Sequence, residues 1–163
     1  MGVFVVAIAG VLLFYGPTAL NFWHVYGPDL VREPERQKYA ASREQNLKAI
    51  YQGLMLYHES EGQFPTSEGW MDAIENRIKS NVLAKGEAEK KLVRPDLASE
   101  QGAFGYAMND AASGKYMDDI PDKGKTPLIY ESKQKTRNAH GDPAEDSDGL
   151  AITVDGTLIK ESH

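Results

Sequence analysis

Hydrophobic and polar positions divide this chain into two unlike parts. Met1 to Leu20 is apolar apart from Tyr15 and Thr18, and no Lys, Arg, Asp or Glu occurs before Asp29. Twenty helical residues rise about 30 Å, which matches the hydrocarbon core of a bilayer. The pattern therefore predicts one transmembrane helix, and the alternative is a hydrophobic segment that is buried in the fold or cleaved.

Aromatic side chains follow the apolar run, where an interfacial belt is expected. Gly27 and Pro28 then end the predicted membrane helix. This organisation gives a transmembrane stem over residues 1–27, a hinge over residues 28–36 and a globular domain over residues 37–163. The side chains expected to contact lipid or partner subunits are Phe4, Ile8, Leu12, Tyr15, Phe22, Trp23 and Tyr26.

Two amphipathic helices are predicted after the hinge. The first runs from Arg36 to Ser60 with Gly62 as its C-terminal cap. Its buried face is predicted to contain Tyr39, Leu47, Ile50, Tyr51, Leu54, Tyr57 and His58. The second helix begins after Ser67, which is predicted to be its N-cap. Its apolar positions are Trp70, Met71, Ile74 and Ile78, and Trp70 is expected to be a packing anchor.

The rest of the chain predicts short strands that follow a Glu/Lys-rich turn or linker at residues 85–91. Ala103 to Met108 and Pro127 to Glu131 each have strand character. Two further strands flank Asp155 and Gly156. An Asp-Gly pair between two strands is a signal for a type I′ hairpin. Helices followed by an antiparallel meander define an α+β fold, with the amphipathic helix packed on a small antiparallel sheet.

The overall composition excludes several functional classes. The chain has no cysteine, so disulfide frameworks and thiolate chemistry are excluded. A formal net charge of -6 without a basic stripe argues against nucleic acid as a partner. The sequence has no glycine-rich phosphate loop, no HExxH motif and no nucleophile elbow. We therefore expect a non-catalytic protein.

One acidic loop is a candidate metal site. Between Gly141 and Gly149 the chain supplies several carboxylates, and Ca²⁺ prefers six to eight oxygen ligands. The candidate ligands are Asp142, Glu145, Asp146 and Asp148. Their spacing differs from that of an EF-hand, so a solvated acidic loop is the alternative. No other cofactor is predicted.

Four blocks in the same order resemble one bacterial family. They are Asn46–Tyr57 followed by Gly62–Pro65, Arg94–Asp96 followed by Gly105–Asn109, Thr126–Glu131, and His140 followed by Leu150–Leu158 around Asp155-Gly156. Together with the apolar run, they are similar to the type IV pilin and type II secretion pseudopilin superfamily. The resemblance implies a pilin-like fold with a membrane stem.

The chain also departs from the pilin pattern. It begins inside the apolar run, without a basic leader and without the glutamate that pilins carry near the start of the stem. Arg94 stands where family members often have a cysteine. These departures favour an accessory subunit over a polymerising one.

The resemblance implies a single-pass protein of the bacterial inner membrane whose domain lies in the periplasm. The positive-inside rule alone favours a cytoplasmic domain, because basic residues follow the stem: Arg32, Arg36, Lys38, Arg43 and Lys48. We favour the periplasmic placement.

The expected function is that of a non-catalytic, membrane-anchored structural or accessory subunit. Its partners would be the lipid bilayer and other membrane protein subunits. The alternatives are a filament-forming pilin or pseudopilin of a secretion or adhesion machine, and a calcium-dependent binding module.

Overall fold

A computed structural model describes residues 42–80 and 87–160 of the chain. The predicted stem, the hinge and the first residues of the predicted first helix lie outside this part. Within the described residues, no helix has both the length and the apolar composition that a bilayer crossing requires.

The first helix, α1, covers residues 42–61 in the described part of the chain. Leu47, Ile50 and Leu54 are fully buried on one face, because steps of three and four residues return to the same side of a helix. The helix ends at Gly62, which has a φ of 81° and donates its N–H to the His58 carbonyl at 2.8 Å. The predicted C-terminal cap is confirmed. The predicted apolar face is confirmed for these three leucine and isoleucine residues, whereas Tyr51, Tyr57 and His58 are half-buried and Tyr39 lies outside the described residues.

The second helix, α2, runs over Trp70–Ser80 after a 3₁₀ turn at Ser67–Gly69. The prediction that Ser67 is the N-cap is wrong, because Ser67 is the first residue of that turn. Thr66 precedes the turn without a side-chain capping bond. The Met71 N–H at the start of α2 instead donates to Asn138 Oδ1 at 2.8 Å, so a distant loop caps this helix.

The loop that caps α2 also holds its tryptophan. Trp70 is fully buried and donates its indole N–H to the Ala139 carbonyl at 2.9 Å, as expected of a packing anchor. Asn138 donates its amide to Asp72 at 2.7 Å. Arg137 forms ion pairs with Asp72 and Glu75. These bonds fix the start of α2 against the sheet.

A short helix, α3, spans Glu87–Lys91 at the end of the Glu/Lys-rich segment. It is not wholly solvated, because Ala88 and the following Leu92 are buried. Asn46 of α1 donates its side-chain amide to the Val93 carbonyl at 3.0 Å. This bond joins α1 to the segment that follows α3.

Five strands form one sheet in the order β3-β1-β2-β4-β5. The strands are β1 Tyr106–Asn109, β2 Pro127–Ser132, β3 His140–Gly141, β4 Ser147–Thr153 and β5 Leu158–Lys160. A one-turn helix, α4 (Pro143–Asp146), connects β3 to β4. Helices packed on this sheet confirm the predicted α+β class.

The sheet is mixed, so the prediction of a purely antiparallel sheet is wrong. Three strand pairs are antiparallel, but β3 runs parallel to β1. Because β1 and β2 are antiparallel, β2 ends beside the start of β1. The chain then passes the start of β1, where the Phe104 N–H donates to the Lys135 carbonyl at 2.9 Å. The chain then enters the sheet as β3, on the side of β1 that faces away from β2. Because it starts from the same end of the sheet as β1, β3 runs in the same direction as β1.

The two faces of the sheet differ because side chains alternate along each strand. Tyr106, Met108 and Ile129 pack with the buried residues of α1 and α2 in the main core. Ala107 and Tyr130 belong to a smaller cluster with Ala139 and Ala151. Phe104, predicted as a strand residue, precedes β1 and packs at the edge of the main core.

The hairpin between β4 and β5 is present, but its turn is not type I′. That turn needs positive φ at both central residues, whereas only Gly156 has one, at 89°. The Gly156 N–H donates to the Thr153 carbonyl at 2.9 Å, so Thr153–Gly156 is a hydrogen-bonded β-turn that ends on a glycine of positive φ. A Cβ at Gly156 would lie 3.1 Å from the Tyr51 ring, which also favours glycine there.

The remote cap on α2 gives a stability prediction. Asn138 has a φ of 56°, a conformation that costs alanine about 1–2 kcal/mol and glycine little. Asn138→Ala should lower the free energy of unfolding by about 2 kcal/mol, since it loses the cap as well. Asn138→Gly loses the same bonds and should cost about 1 kcal/mol less. Both losses in the free energy of unfolding can be measured by denaturant titration of the full chain in mild detergent, with tryptophan fluorescence as the signal. Equal losses for the alanine and glycine variants would contradict this account.

Candidate functional site

The predicted membrane contacts lie outside the described residues, so they stay predictions. They are Phe4, Ile8, Leu12, Tyr15, Phe22, Trp23 and Tyr26. The four candidate calcium ligands lie in the part of the chain that the structure describes.

Three of these carboxylates have separate surroundings around α4. Asp142 is the N-cap of α4 and accepts the Ala144 N–H at 2.9 Å. Asp146 accepts the side-chain amide of Gln134 at 2.7 Å. Glu145 is exposed, and its backbone carbonyl accepts from Lys133 at 3.2 Å.

The fourth carboxylate, Asp148, forms an ion pair with Arg94 at 3.1 Å. Across residues 42–80 and 87–160, no three His, Asp or Glu side chains are grouped in a way that could hold a metal ion. A calcium site formed by the four acidic residues would require this loop to rearrange, and it stays a prediction.

A partly buried ion pair joins the beginning of the described part of α1 to the sheet. Glu131 of β2 is fully buried, and Arg43 of α1 is 27% exposed. Arg43 donates through Nε to Oε1 at 2.7 Å and through Nη2 to Oε2. This two-point contact fixes both position and orientation, because the planar guanidinium matches the carboxylate geometry.

The backbone of β4 completes the surroundings of Glu131. The Leu150 N–H donates to Oε2 at 2.8 Å, so both carboxylate oxygens are hydrogen-bonded. The neighbouring Gly149 leaves the necessary space. A Cβ there would lie 2.5 Å from Glu131 Oε2 and 2.6 Å from Arg43 Nη2. The charge of Glu131 is therefore compensated, and the residue connects α1 to the sheet.

A second arginine, Arg94, is buried close to the end of β2 and the start of β4. It pairs with Asp96 at 2.7 Å and Asp148 at 3.1 Å, and donates to the Ser132 carbonyl at 3.3 Å. Burial alone would lower the pKa of Arg94, but the two carboxylates outweigh it and raise the pKa above its usual value. Arg94 thus stays charged and links three segments.

Tyr106 lies on β1 opposite Glu131 in the strand register. Its buried hydroxyl makes no hydrogen bond of regular geometry with any described group. Burial raises the pKa of Tyr106, and the negative charge of Glu131 raises it further. The side chain of Asn46 and the charges of Arg43 and Arg94 partly offset this rise.

We call Arg43, Glu131, Arg94 and Tyr106 the anchor network. Sequence reasoning did not identify it, although one signal was present. Glu131 follows Ile129 by two residues in a strand, so both side chains lie on the face that packs against the helices. A charged residue on that face requires a buried partner.

A polar pair lies at the opposite end of β1. His140 Nδ1 is 2.8 Å from Asp110 Oδ1, and the two side chains are 39% and 52% exposed. Asp110 lies on the wall of an open pocket of about 450 Å³ at the ends of β1 and β3. The polar and charged pocket residues are Asn109, Asp110, Lys125, Thr126 and Asp142. Exposed pairs of this kind contribute at most about 1 kcal/mol to stability.

The chain matches no protein-family model, curated protein or solved structure. The pilin resemblance therefore continues to rest on the four sequence blocks.

The anchor network predicts strong coupling between Arg43 and Glu131. Arg43→Met leaves a buried carboxylate uncompensated and should lower the free energy of unfolding by about 3 kcal/mol. Arg43→Met/Glu131→Met removes both charges and should recover most of that loss. Lys48→Met, on the exposed side of α1, should change stability by less than about 0.5 kcal/mol. Additive losses in a double-mutant cycle would show that the pair is not coupled.

The raised pKa of Tyr106 predicts that the protein loses stability at high pH. Its pKa is raised in the folded protein, so the unfolded chain releases this proton first, near pH ~10. Tyr106 therefore contributes stability below that pH and loses it as the pH rises further. Tyr106→Phe should flatten the decline measured by denaturant unfolding from pH 9 to 12, and should be within about 1 kcal/mol of wild type at pH 7. The exposed Tyr116→Phe is the control; an equal effect would refute the assignment.

Proposed function

We propose that this protein is a non-catalytic structural subunit, anchored in the bacterial inner membrane by an N-terminal helix and carrying a pilin-like domain in the periplasm. The observation that carries the proposal is the division of the sequence. The first 28 residues contain no Lys, Arg, Asp or Glu, and all of these side chains occur in the rest of the chain. A segment of that length and composition is suited to the interior of a bilayer.

The described fold is consistent with a stem-and-domain protein. The segment that follows the predicted hinge is helical, and its apolar face packs on a sheet that comes later in the chain. The Arg43–Glu131 pair holds the beginning of this described helix.

The blocks that carry the pilin resemblance coincide with fold-determining positions. Leu54 and Phe64 are fully buried in the main core. Tyr106 belongs to the anchor network, and Gly156 forms the turn between β4 and β5. This coincidence supports the view that the blocks reflect a shared architecture.

Membrane insertion can be tested with a charge in the stem. A lysine at the centre of a membrane helix costs about 2.5–3.5 kcal/mol. Leu12→Lys should shift the full chain from the membrane fraction to the soluble or degraded fraction, whereas Leu12→Ile should stay with the membrane. If both variants fractionate like wild type, the anchor proposal fails.

The structural role predicts a defined set of partners. Mild detergent extraction followed by affinity purification and mass spectrometry should yield a stoichiometric complex with other membrane subunits. Homopolymeric filaments in electron micrographs would instead support the filament-forming alternative.

Protease added to right-side-out spheroplasts should cleave the domain, and full protection of the domain would contradict its periplasmic placement.

A further inference from the structure

The open pocket beside Asp110 lies where three neighbouring strands reach the same edge of the sheet. Its walls come from the end of β1, the beginning of β2 and the segment that follows β3, at residues 109–111, 125–127 and 141–143. Because β3 is parallel and β2 antiparallel to β1, two strand ends and one strand start meet there. The volume of about 450 Å³ is typical of a site for a small molecule.

Asn109 makes the wall of this pocket rigid. Its side chain is buried, and both of its polar atoms bond within the protein. Nδ2 donates to the Pro127 carbonyl at 2.8 Å, and Oδ1 accepts the Ala111 N–H at 2.9 Å. These bonds connect the end of β1 to the start of β2. The pocket is therefore formed before a ligand binds, which lowers the cost of binding.

Two carboxylates in the pocket wall each keep one oxygen available. Asp110 Oδ1 lies 2.8 Å from His140 Nδ1, and Asp142 Oδ1 accepts the Ala144 N–H at 2.9 Å. These contacts orient both carboxylates, while Oδ2 of each has no hydrogen-bond partner among residues 42–80 and 87–160. An oriented carboxylate oxygen is a strong acceptor for an ammonium or guanidinium group.

One cation lines the same pocket. Lys125 is exposed, and within the part of the chain that the structure describes its ammonium group has no ion-pair partner. The nearby Lys123, in contrast, pairs with Asp118 at 2.6 Å. Two carboxylates and one ammonium give the pocket a formal charge of -1 while His140 is neutral.

We propose that this pocket binds a free basic amino acid, with arginine as the reference ligand. Arginine carries two cationic groups and one carboxylate, which is the reverse of the charges in the pocket. Its α-ammonium and guanidinium groups pair with Asp110 and Asp142, and its carboxylate pairs with Lys125. Its methylene groups contact the apolar part of the wall, which includes Pro127 and Pro143.

The exposure of the charged groups sets the expected affinity. Asp110, Lys125 and Asp142 are all exposed, and one exposed ion pair changes an affinity by about fivefold. We therefore expect a dissociation constant on the order of 1 mM for arginine. This inference concerns the described domain and does not rest on membrane anchoring or on a pilin-like role.

The test is a titration of the full chain in non-ionic detergent micelles at about pH 8, where histidine is ordinarily neutral. L-Arginine is added to about 20 mM, well above the expected dissociation constant. The ¹³C-methyl NMR signals of Ala111 and Thr126, in the pocket wall, should shift together on one saturating curve. L-Glutamate should leave them unchanged. Shifts that do not saturate with arginine, or equal shifts with glutamate, would overturn the proposal.

Agmatine separates specific pairing from general attraction to an acidic protein. It is arginine without the carboxylate, and it keeps both cationic groups. General attraction predicts that agmatine binds more tightly, whereas pairing with Lys125 predicts that arginine binds about fivefold more tightly. Lys125→Met should abolish the preference for arginine. A wild-type preference for agmatine, or a preference for arginine that survives in Lys125→Met, would contradict the proposal.

A matched pair of variants tests the carboxylates. Asp142→Asn removes one charge but keeps the cap of α4, because the asparagine oxygen also accepts the Ala144 N–H. It should weaken arginine binding about fivefold. Asp119→Asn removes an exposed carboxylate outside the pocket wall and should bind arginine like wild type. Equal effects of the two substitutions would refute the site. The comparison of ligands on wild type decides the matter even if a variant folds poorly.

Discussion

The buried charge of Glu131 is the constraint that fixes where α1 lies on the sheet. A fully buried carboxylate is tolerated only where its charge is compensated, so α1 must present Arg43 at one place on the sheet. The Leu150 N–H and the space at Gly149 complete that place from β4. One contact therefore fixes the helix against two neighbouring strands.

Local patterns predicted much of the fold, because they reflect short-range geometry. The period of α1 identified Leu47, Ile50 and Leu54 as buried. Gly62 ends that helix in a left-handed conformation, as its lack of a side chain allows. The positions of β2 and of the β4–β5 hairpin also followed from runs of apolar residues between turn signals.

Contacts between distant residues could not be predicted in the same way. The cap of α2 comes from Asn138, 67 residues beyond Met71, and replaces the local cap expected at Ser67. Arg43 and Glu131 are 88 residues apart. The parallel strand β3 depends on the path of a loop, which periodicity does not encode. Each of these features is decided by tertiary packing.

The central claim is that the apolar run anchors the domain in a membrane, and site-specific alkylation tests it most directly. The chain has no cysteine, so a single one can be placed at will. In sealed vesicles with the domain outward, a water-soluble maleimide should label Tyr116→Cys at once and Ile8→Cys only after detergent is added. Equal labelling at both positions in intact vesicles would contradict the account.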